Sequence, residues 1–398
     1  MNNKNFKIIA LMDCDSFFVS CEQYYNPSYK NKPVCVLSNN DGCVISRSKE
    51  AKALGVKMGM PLFMAKKEYP NVIYLSSDHE KYADISKNTM GLLREFSPIV
   101  DQYSIDEAFI DLTGLRRLYR RSYLEIAKMI REEVRLKIGI PVSIGVSLNK
   151  TLAKLATSYA KKQDGTYIIG YRALKEKLLE TDFSEVWGVG KNTSALMNKY
   201  GIHTAYEFSM QSDEWIKSKL GIRGLQLKQE LLGNIIYDIS SISELPKSIQ
   251  KTSSFASFTS DKSYIKNSLI YHINRATYRL RKLKMKAGCI RIILKTKDFK
   301  IYSEKCVLNS HTSWDTDIVN AILPIFEKMY KNGIIYRSSG IVLENLLCEN
   351  DIQMSLFNNI QTEYKKENLS HCVDNLIAKH GRNIIKVGYS EPPQKPNN

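Results

Sequence analysis

The chain is 398 residues long and carries 58 Lys and Arg against 41 Asp and Glu, a formal net charge of +17. Its 43% apolar and 25% charged residues are those of a globular protein of about two to four cored domains, which excludes a disordered or fibrous chain. No apolar stretch approaches the roughly 20 residues that cross a bilayer, and the eight cysteines are scattered without CxxC spacing, which excludes a disulfide framework and a zinc site. The positive excess points to a polyanionic partner, nucleic acid before membrane.

In chain order, residues 7–12 (KIIALM) form a short apolar strand that empties into DCDSFFVSCE, placing Asp13 and Asp15 at a sheet edge. The apolar run stops at Asp13, too short for a secretory core, so a cytoplasmic protein is expected. Residues 34–37 are a second strand closed by the turn-rich SNNDG, residues 48–54 a helix stopped by Gly55, and Pro61 opens another short helix. Residues 72–75 return as a strand and residues 80–96 as a helix. SIDEAFIDL (104–112) then reads as a hairpin that holds Asp106 and Glu107 together. Adjacent side chains of a true strand face opposite ways, so a bend there is needed to bring both acids to one rim. Helix 122–137, strand 142–146, helix 149–161 and strand 166–169 complete an α+β domain with a long insertion.

Residues 182–233 read as all helical, with turns at WGVGK (187–191) and GIRG (221–224). Such a turn is either an ordinary helix cap or a helix-hairpin-helix whose backbone amides reach a phosphate. After a polar linker, residues 248–346 follow a βαββαβ order. Between Lys247 and Lys305 there are 15 Lys or Arg against 3 acids, an imbalance that favours a phosphate-binding surface. The last 50 residues read as a polar tail with one amphipathic piece, 369–380.

Asp13, Asp106 and Glu107 suit magnesium, which takes a few carboxylates together with substrate phosphate oxygens. Two such ions clamp the attacking and leaving oxygens of a phosphoryl transfer. The acids alone do not separate a polymerase from a nuclease or a cyclase. A wider pattern does: DCDSFFVSCE, SNNDGCVISRSKEAKALGVKMGMP, SIDEAFIDL and SIGVSLNKTLAKLATSYAKK, in that order, resemble the motifs of Y-family translesion DNA polymerases. LSNNDGCVI (37–45) is most similar to the UmuC branch, and the resemblance covers residues 7 to 390.

The resemblance implies an α+β multidomain, right-hand polymerase: palm (1–21 and 80–172), small fingers (22–79), a helical thumb with the helix-hairpin-helix (173–240), a linker (241–247), a βαββαβ little finger (248–348) and a tail (349–398). It makes Asp13, Asp106 and Glu107 the catalytic metal ligands, with the Cys14 carbonyl beside them, and Mg²⁺, two ions, the cofactor. It places Phe18 as the steric gate under the sugar, next to Phe17, and Ser46, Lys52 and Lys161 at the triphosphate, with Lys162 competing for the last role. Lys49 stands where other branches have a phosphate-contacting Tyr. Asp15 is expected to be structural and Glu22 to support the acids. Gly188, Gly190, Lys191, Arg279 and Lys295 are the expected DNA contacts. Partners are then primer-template DNA and a dNTP, with an accessory subunit or recombinase filament left open and no membrane. QMSLF (353–357) resembles the bacterial clamp-binding motif, so a sliding clamp is expected on Gln353, Leu356 and Phe357.

Overall fold

The computed structural model describes residues 7–38, 41–240, 245–351 and 360–381. The chain divides into two compact units, Met1–Ser243 and Glu244–Asn398, a division that falls within the expected linker.

The first unit opens with β1 (Ile9–Cys14) and α1 (Phe17–Tyr25). The insertion follows as β2 (Val34–Leu37), β3 (Val44–Arg47), α2 (Lys49–Ala53), α3 (Leu62–Glu68) and β4 (Ile73–Ser76). Its strands make a small sheet of order β3-β2-β4 with a core of its own, in which Cys35, Val44 and Ala51 are buried. The chain returns through α4 (His79–Phe96), β5 (Val100–Gln102), β6 (Glu107–Asp111), α5 (Leu115–Tyr119), α6 (Tyr123–Lys137), β7 (Val142–Ser147), α7 (Lys150–Lys161) and β8 (Thr166–Ile168). The principal sheet has order β5-β6-β1-β7-β8, with β1 antiparallel to both neighbours.

Strand alternation gives this sheet two faces. Ala10, Met12 and Cys14 turn inward with Ile126, Ile130 and Leu93 from α6 and α4. Ile9, Leu11 and Phe109 turn the other way, toward Ala153 of α7. Helix α7 lies so close to β7 that a Cβ on Gly145 would come within 2.0 Å of the Thr157 amide nitrogen. Only glycine permits that approach, and it presses α7 onto β7, the neighbour of the strand that carries Asp13.

Short helices complete the unit: α8 (Leu174–Glu180), α9 (Lys191–Lys199), α10 (Ala205–Ser209) and α11 (Asp213–Leu231). The expected turn at 221–224 is a kink inside α11, where Gly221 has φ 65° and ψ −157°. Asn149 fastens α11 to α7. Its side chain caps α7 by accepting from the Leu152 amide and donates to the Glu230 and Asn234 carbonyls. Buried Glu230 answers by accepting from the amides of Thr151, Ile236 and Tyr237.

The second unit has β9 (Ile249–Thr259), α12 (Lys262–Lys282), β10 (Met285–Thr296), β11 (Ile301–Thr312), α13 (Asp315–Met329) and β12 (Tyr336–Cys348), the expected βαββαβ order. The sheet runs β11-β10-β12-β9, so β12 separates the two strands that α12 joins. The polar tail is more structured than its composition indicates. Helix α14 (Ile360–His380) is 21 residues long and is pinned to this unit by Asp374 on Arg281, Glu367 on Lys286 and Lys366 on Asp317. Gln353, Leu356 and Phe357 lie outside the described residues.

Candidate active site

The β1–β6 ladder pairs Asp13 with Glu107. Both continue the Ile9, Leu11, Phe109 face, so both carboxylates emerge on the side covered by α7. Lysines 150, 154 and 161 recur at i, i+4 and i+11 on that helix, a spacing that keeps them on one face. Each meets an acid of the sheet. Lys150 bonds Asp101 at 2.7 Å, Lys154 holds both oxygens of Glu107 at 2.9 Å, and Lys161 bonds Asp13 at 2.6 Å. Burial pushes the Asp13 carboxyl up to about 7; Lys161 pulls it back and neighbouring Glu107 adds to the rise. Burial outweighs the ion pair there because the Asp13 side chain is only 14% exposed.

Asp106 occupies the turn before β6, and Glu107 is the first residue of that strand. The Ser104 hydroxyl donates to the Asp106 carboxylate and accepts from the amides of Asp106 and Glu107. The Cys14 amide donates to the Asp106 carbonyl at 2.9 Å, locking the turn onto β1. The Cys14 thiol lies in the core, and burial, helped by Asp106 and Asp13, raises its pKa. Asp15 accepts from the Ser143 hydroxyl at 2.9 Å.

Beyond Asp15 the chain turns at Ser16, in the left-handed region at φ 49°, and starts α1. Phe17 is buried, whereas Phe18 is half-buried, stacked on Tyr82 at 4.9 Å and edge-on to His79 at 5.7 Å. Glu22 does not reach the acids; it accepts from the Tyr82 hydroxyl and so steadies the ring under Phe18. The Lys52 ammonium donates to the Ser16 hydroxyl at 2.7 Å. Burial and then Arg47 lower its pKa. Ser46 differs from expectation: it is 5% exposed, and its hydroxyl donates to the Ser16 carbonyl and accepts from the Val19 amide. It supports the corner from beneath. Lys161 reaches the acids, while Lys162 points to Glu185.

Gly188, at φ 88°, and Gly190 both have open space where a Cβ would stand, and Lys191 begins α9. Trp187, just before them, meets Tyr103 edge-on at 5.4 Å and Phe109 at a tilt at 6.0 Å. In the second unit Arg279 is exposed on α12, and the Lys295 ammonium lies 4.7 Å from the Phe299 ring centroid.

Among the described residues no three His, Cys, Asp or Glu side chains form a ready-made cation cage. The donors nevertheless have the right chemistry for a hard cation: carboxylate oxygens, half-sheltered, whose charge is now balanced by ammonium groups. Lys150 and Lys154 were not singled out from the sequence. Their spacing with Lys161, opposite an acid-bearing strand edge, is the signal that would have found them.

Residues 12–158 match the impB/mucB/samB family and residues 246–356 the C-terminal domain of that family. The chain belongs to this family, the UmuC-like Y-family DNA polymerases. Protein UmuC of Salmonella typhimurium is 32% identical over 391 residues, spanning 95% of this chain and 92% of that one. DNA polymerase IV of Clostridium kluyveri is 30% identical over 393 residues, 96% of this chain and 98% of its own. A solved chimera of the Y-family DNA polymerases Dbh and Dpo4 superposes with a TM-score of 0.72 at 25% identity, covering 86% of this chain and 99% of that one. No helix among the described residues is long and apolar enough to cross a membrane.

Proposed function

We propose that the chain extends a primer on a DNA template, including templates that carry lesions, by transfer of the nucleotidyl group of a dNTP. The observation that carries this reading is the pairing of Asp13 with Glu107 at the end of two adjoining inner strands, with Lys161 and Lys154 of one helix laid on them. The primer 3′-oxygen attacks the α-phosphorus, the bond from that phosphorus to the bridging oxygen breaks, and pyrophosphate leaves. Asp13, Asp106 and Glu107, with the Cys14 carbonyl, would hold magnesium, two ions of which would neutralise the attacking and leaving oxygens. A triphosphate brings about four negative charges, which Lys161 and Lys52 would balance. Lys154 holds the Glu107 carboxylate in place from beneath.

The ring of Phe18 would lie under the sugar and exclude a 2′-hydroxyl. Small exposed residues in the insertion, among them Ala53 and Gly55, would leave room for a damaged base at the cost of shape selection, hence error-prone synthesis. The Gly188–Gly190 turn, open where a Cβ would stand, with Lys191, Arg279 and Lys295, would grip DNA phosphates without reading sequence. A sliding clamp would tether the enzyme through Gln353, Leu356 and Phe357, so Leu356→Ala with Phe357→Ala should abolish stimulation by a loaded clamp and spare clamp-free synthesis. Primer extension on undamaged and lesion-bearing templates tests the whole reading: elongation of both supports it, and failure to elongate either contradicts it.

A further inference from the structure

Two phenyl rings stand in solvent at one end of the second unit's sheet, Phe258 at 48% and Phe299 at 62% exposure. The Arg337 guanidinium lies 4.1 Å from the centroid of Phe299 and 5.5 Å from that of Phe258. Lys295 approaches Phe299 at 4.7 Å, as already noted, and Lys297 and Lys300 flank the same ring in the β10–β11 hairpin, with Asp298 the one acid of residues 295–300.

Three irregularities of the backbone converge on this cluster. The β12–β9 ladder passes from Ser338↔Ser254 to Tyr336↔Thr259, so residues 255–258 bulge from β9. At the same place the β12–β10 ladder passes from Ser338↔Lys295 to Tyr336↔Thr296, leaving Arg337 as an extra residue. Phe299 has φ 66°, a left-handed conformation that bulky side chains rarely adopt. Bulges of this kind re-aim side chains, and strained residues persist where the surrounding structure holds them for use. The two slips and the tight hairpin together hold Arg337 against both rings.

We propose that Phe258 and Phe299, with Arg337 between them, form a stacking platform for unpaired bases of a single-stranded DNA template. A duplex hides its base faces inside the stack, whereas a single strand offers them beside a chain of phosphates. Exposed aromatic faces within a ring of Lys and Arg match that pairing of flat apolar surface and negative charge. An acidic or purely apolar partner would use one property and leave the other uncompensated. This inference rests on the polymerase reading and adds a site outside the catalytic unit.

The test uses the full chain with two probes, a single-stranded oligo(dT) and a blunt duplex. Phe258→Ala with Phe299→Ala should weaken oligo(dT) binding about tenfold, the size expected for lost base–aromatic stacking. Duplex affinity should stay within about twofold and the salt slope for oligo(dT) should not change, because no phosphate contact is removed. Phe258→Leu with Phe299→Leu should lose as much as the Ala pair, since leucine keeps apolar area but offers no π face. Phe299→Trp supplies a direct readout, an indole emission quenched by added oligo(dT). Unchanged oligo(dT) affinity in the Ala pair, equal loss on both probes, or full binding by the Leu pair would each overturn the platform. A wild-type chain that binds neither probe would overturn the polymerase reading itself.

Discussion

Lys154 holds both carboxylate oxygens of Glu107 at 2.9 Å, and the same ammonium lies 5.0 Å from the Tyr103 ring and 5.5 Å from the Trp187 ring. One lysine thus ties Glu107 to the indole that precedes the Gly188–Gly190 turn. Lys154→Met keeps the chain length and removes the charge, leaving Glu107 half-sheltered without its partner. Incorporation should fall by about ten- to a hundredfold, the cost of one misplaced charged group, while duplex binding persists. Single-turnover kinetics beside a binding titration checks this; unchanged turnover means the pair is ornamental.

Phe18 is fixed from behind by Tyr82 and His79, and Tyr82 in turn by Glu22. A ring backed by two aromatic neighbours yields little to an added hydroxyl. Phe18→Ala should therefore admit ribonucleotides, and Tyr82→Ala should loosen the same selection to a smaller degree. Matched rNTP and dNTP incorporation measures both, and unaltered sugar discrimination in Phe18→Ala would reduce the ring to core packing.

Asn149 belongs to the SLNK motif, yet it contacts no acid of the site. Its amide bridges α7 to the end of α11 through a cap and two carbonyls. Asn149→Ala removes an N-cap and strands buried acceptors, so the first unit should lose about 2–3 kcal/mol. Chemical denaturation is the check. Full stability combined with lost activity would instead move Asn149 into the chemistry.

His272 of α12 is buried, with the Ser253 and Ser268 hydroxyls at 3.3 and 3.4 Å from Nε2. Burial, then Arg275 and Lys251, push its pKa from 6.5 down to about 4, against a small upward pull from the Ser339 backbone. Between those values the unfolded chain binds a proton that the folded one refuses. Stability of the second unit should accordingly fall as pH drops from 6.5 toward 4, by up to about 1.4 kcal/mol per pH unit. His272→Gln should flatten the dependence; an equal slope in that variant would assign the effect to other groups.

Much of this was legible in residues. The βαββαβ order showed in alternating periods and turns, and SIDEAFIDL announced a hairpin because two acids interrupt β-prone runs. What escaped depended on contacts between distant segments. Ser46 looks like a phosphate ligand until its strand is seen beneath the Ser16 corner, which takes its hydroxyl. Residues 360–368 look like a polar tail because the charges of Lys366 and Glu367 are balanced by Asp317 and Lys286, partners far away in sequence. The motif resemblance gives Glu22 a supporting role beside the acids, and its carboxylate takes the hydroxyl of Tyr82, a partner sixty residues away.

The most direct measurement is single-nucleotide incorporation on a primer-template by the wild type, Asp106→Ala and Glu107→Ala, with DNA affinity measured in parallel. Removing one charged ligand should raise the barrier by several kcal/mol. Incorporation should then drop by orders of magnitude in both variants while affinity for the primer-template stays near that of the wild type. Robust extension by either variant would contradict the assignment of the chemistry to Asp13, Asp106 and Glu107.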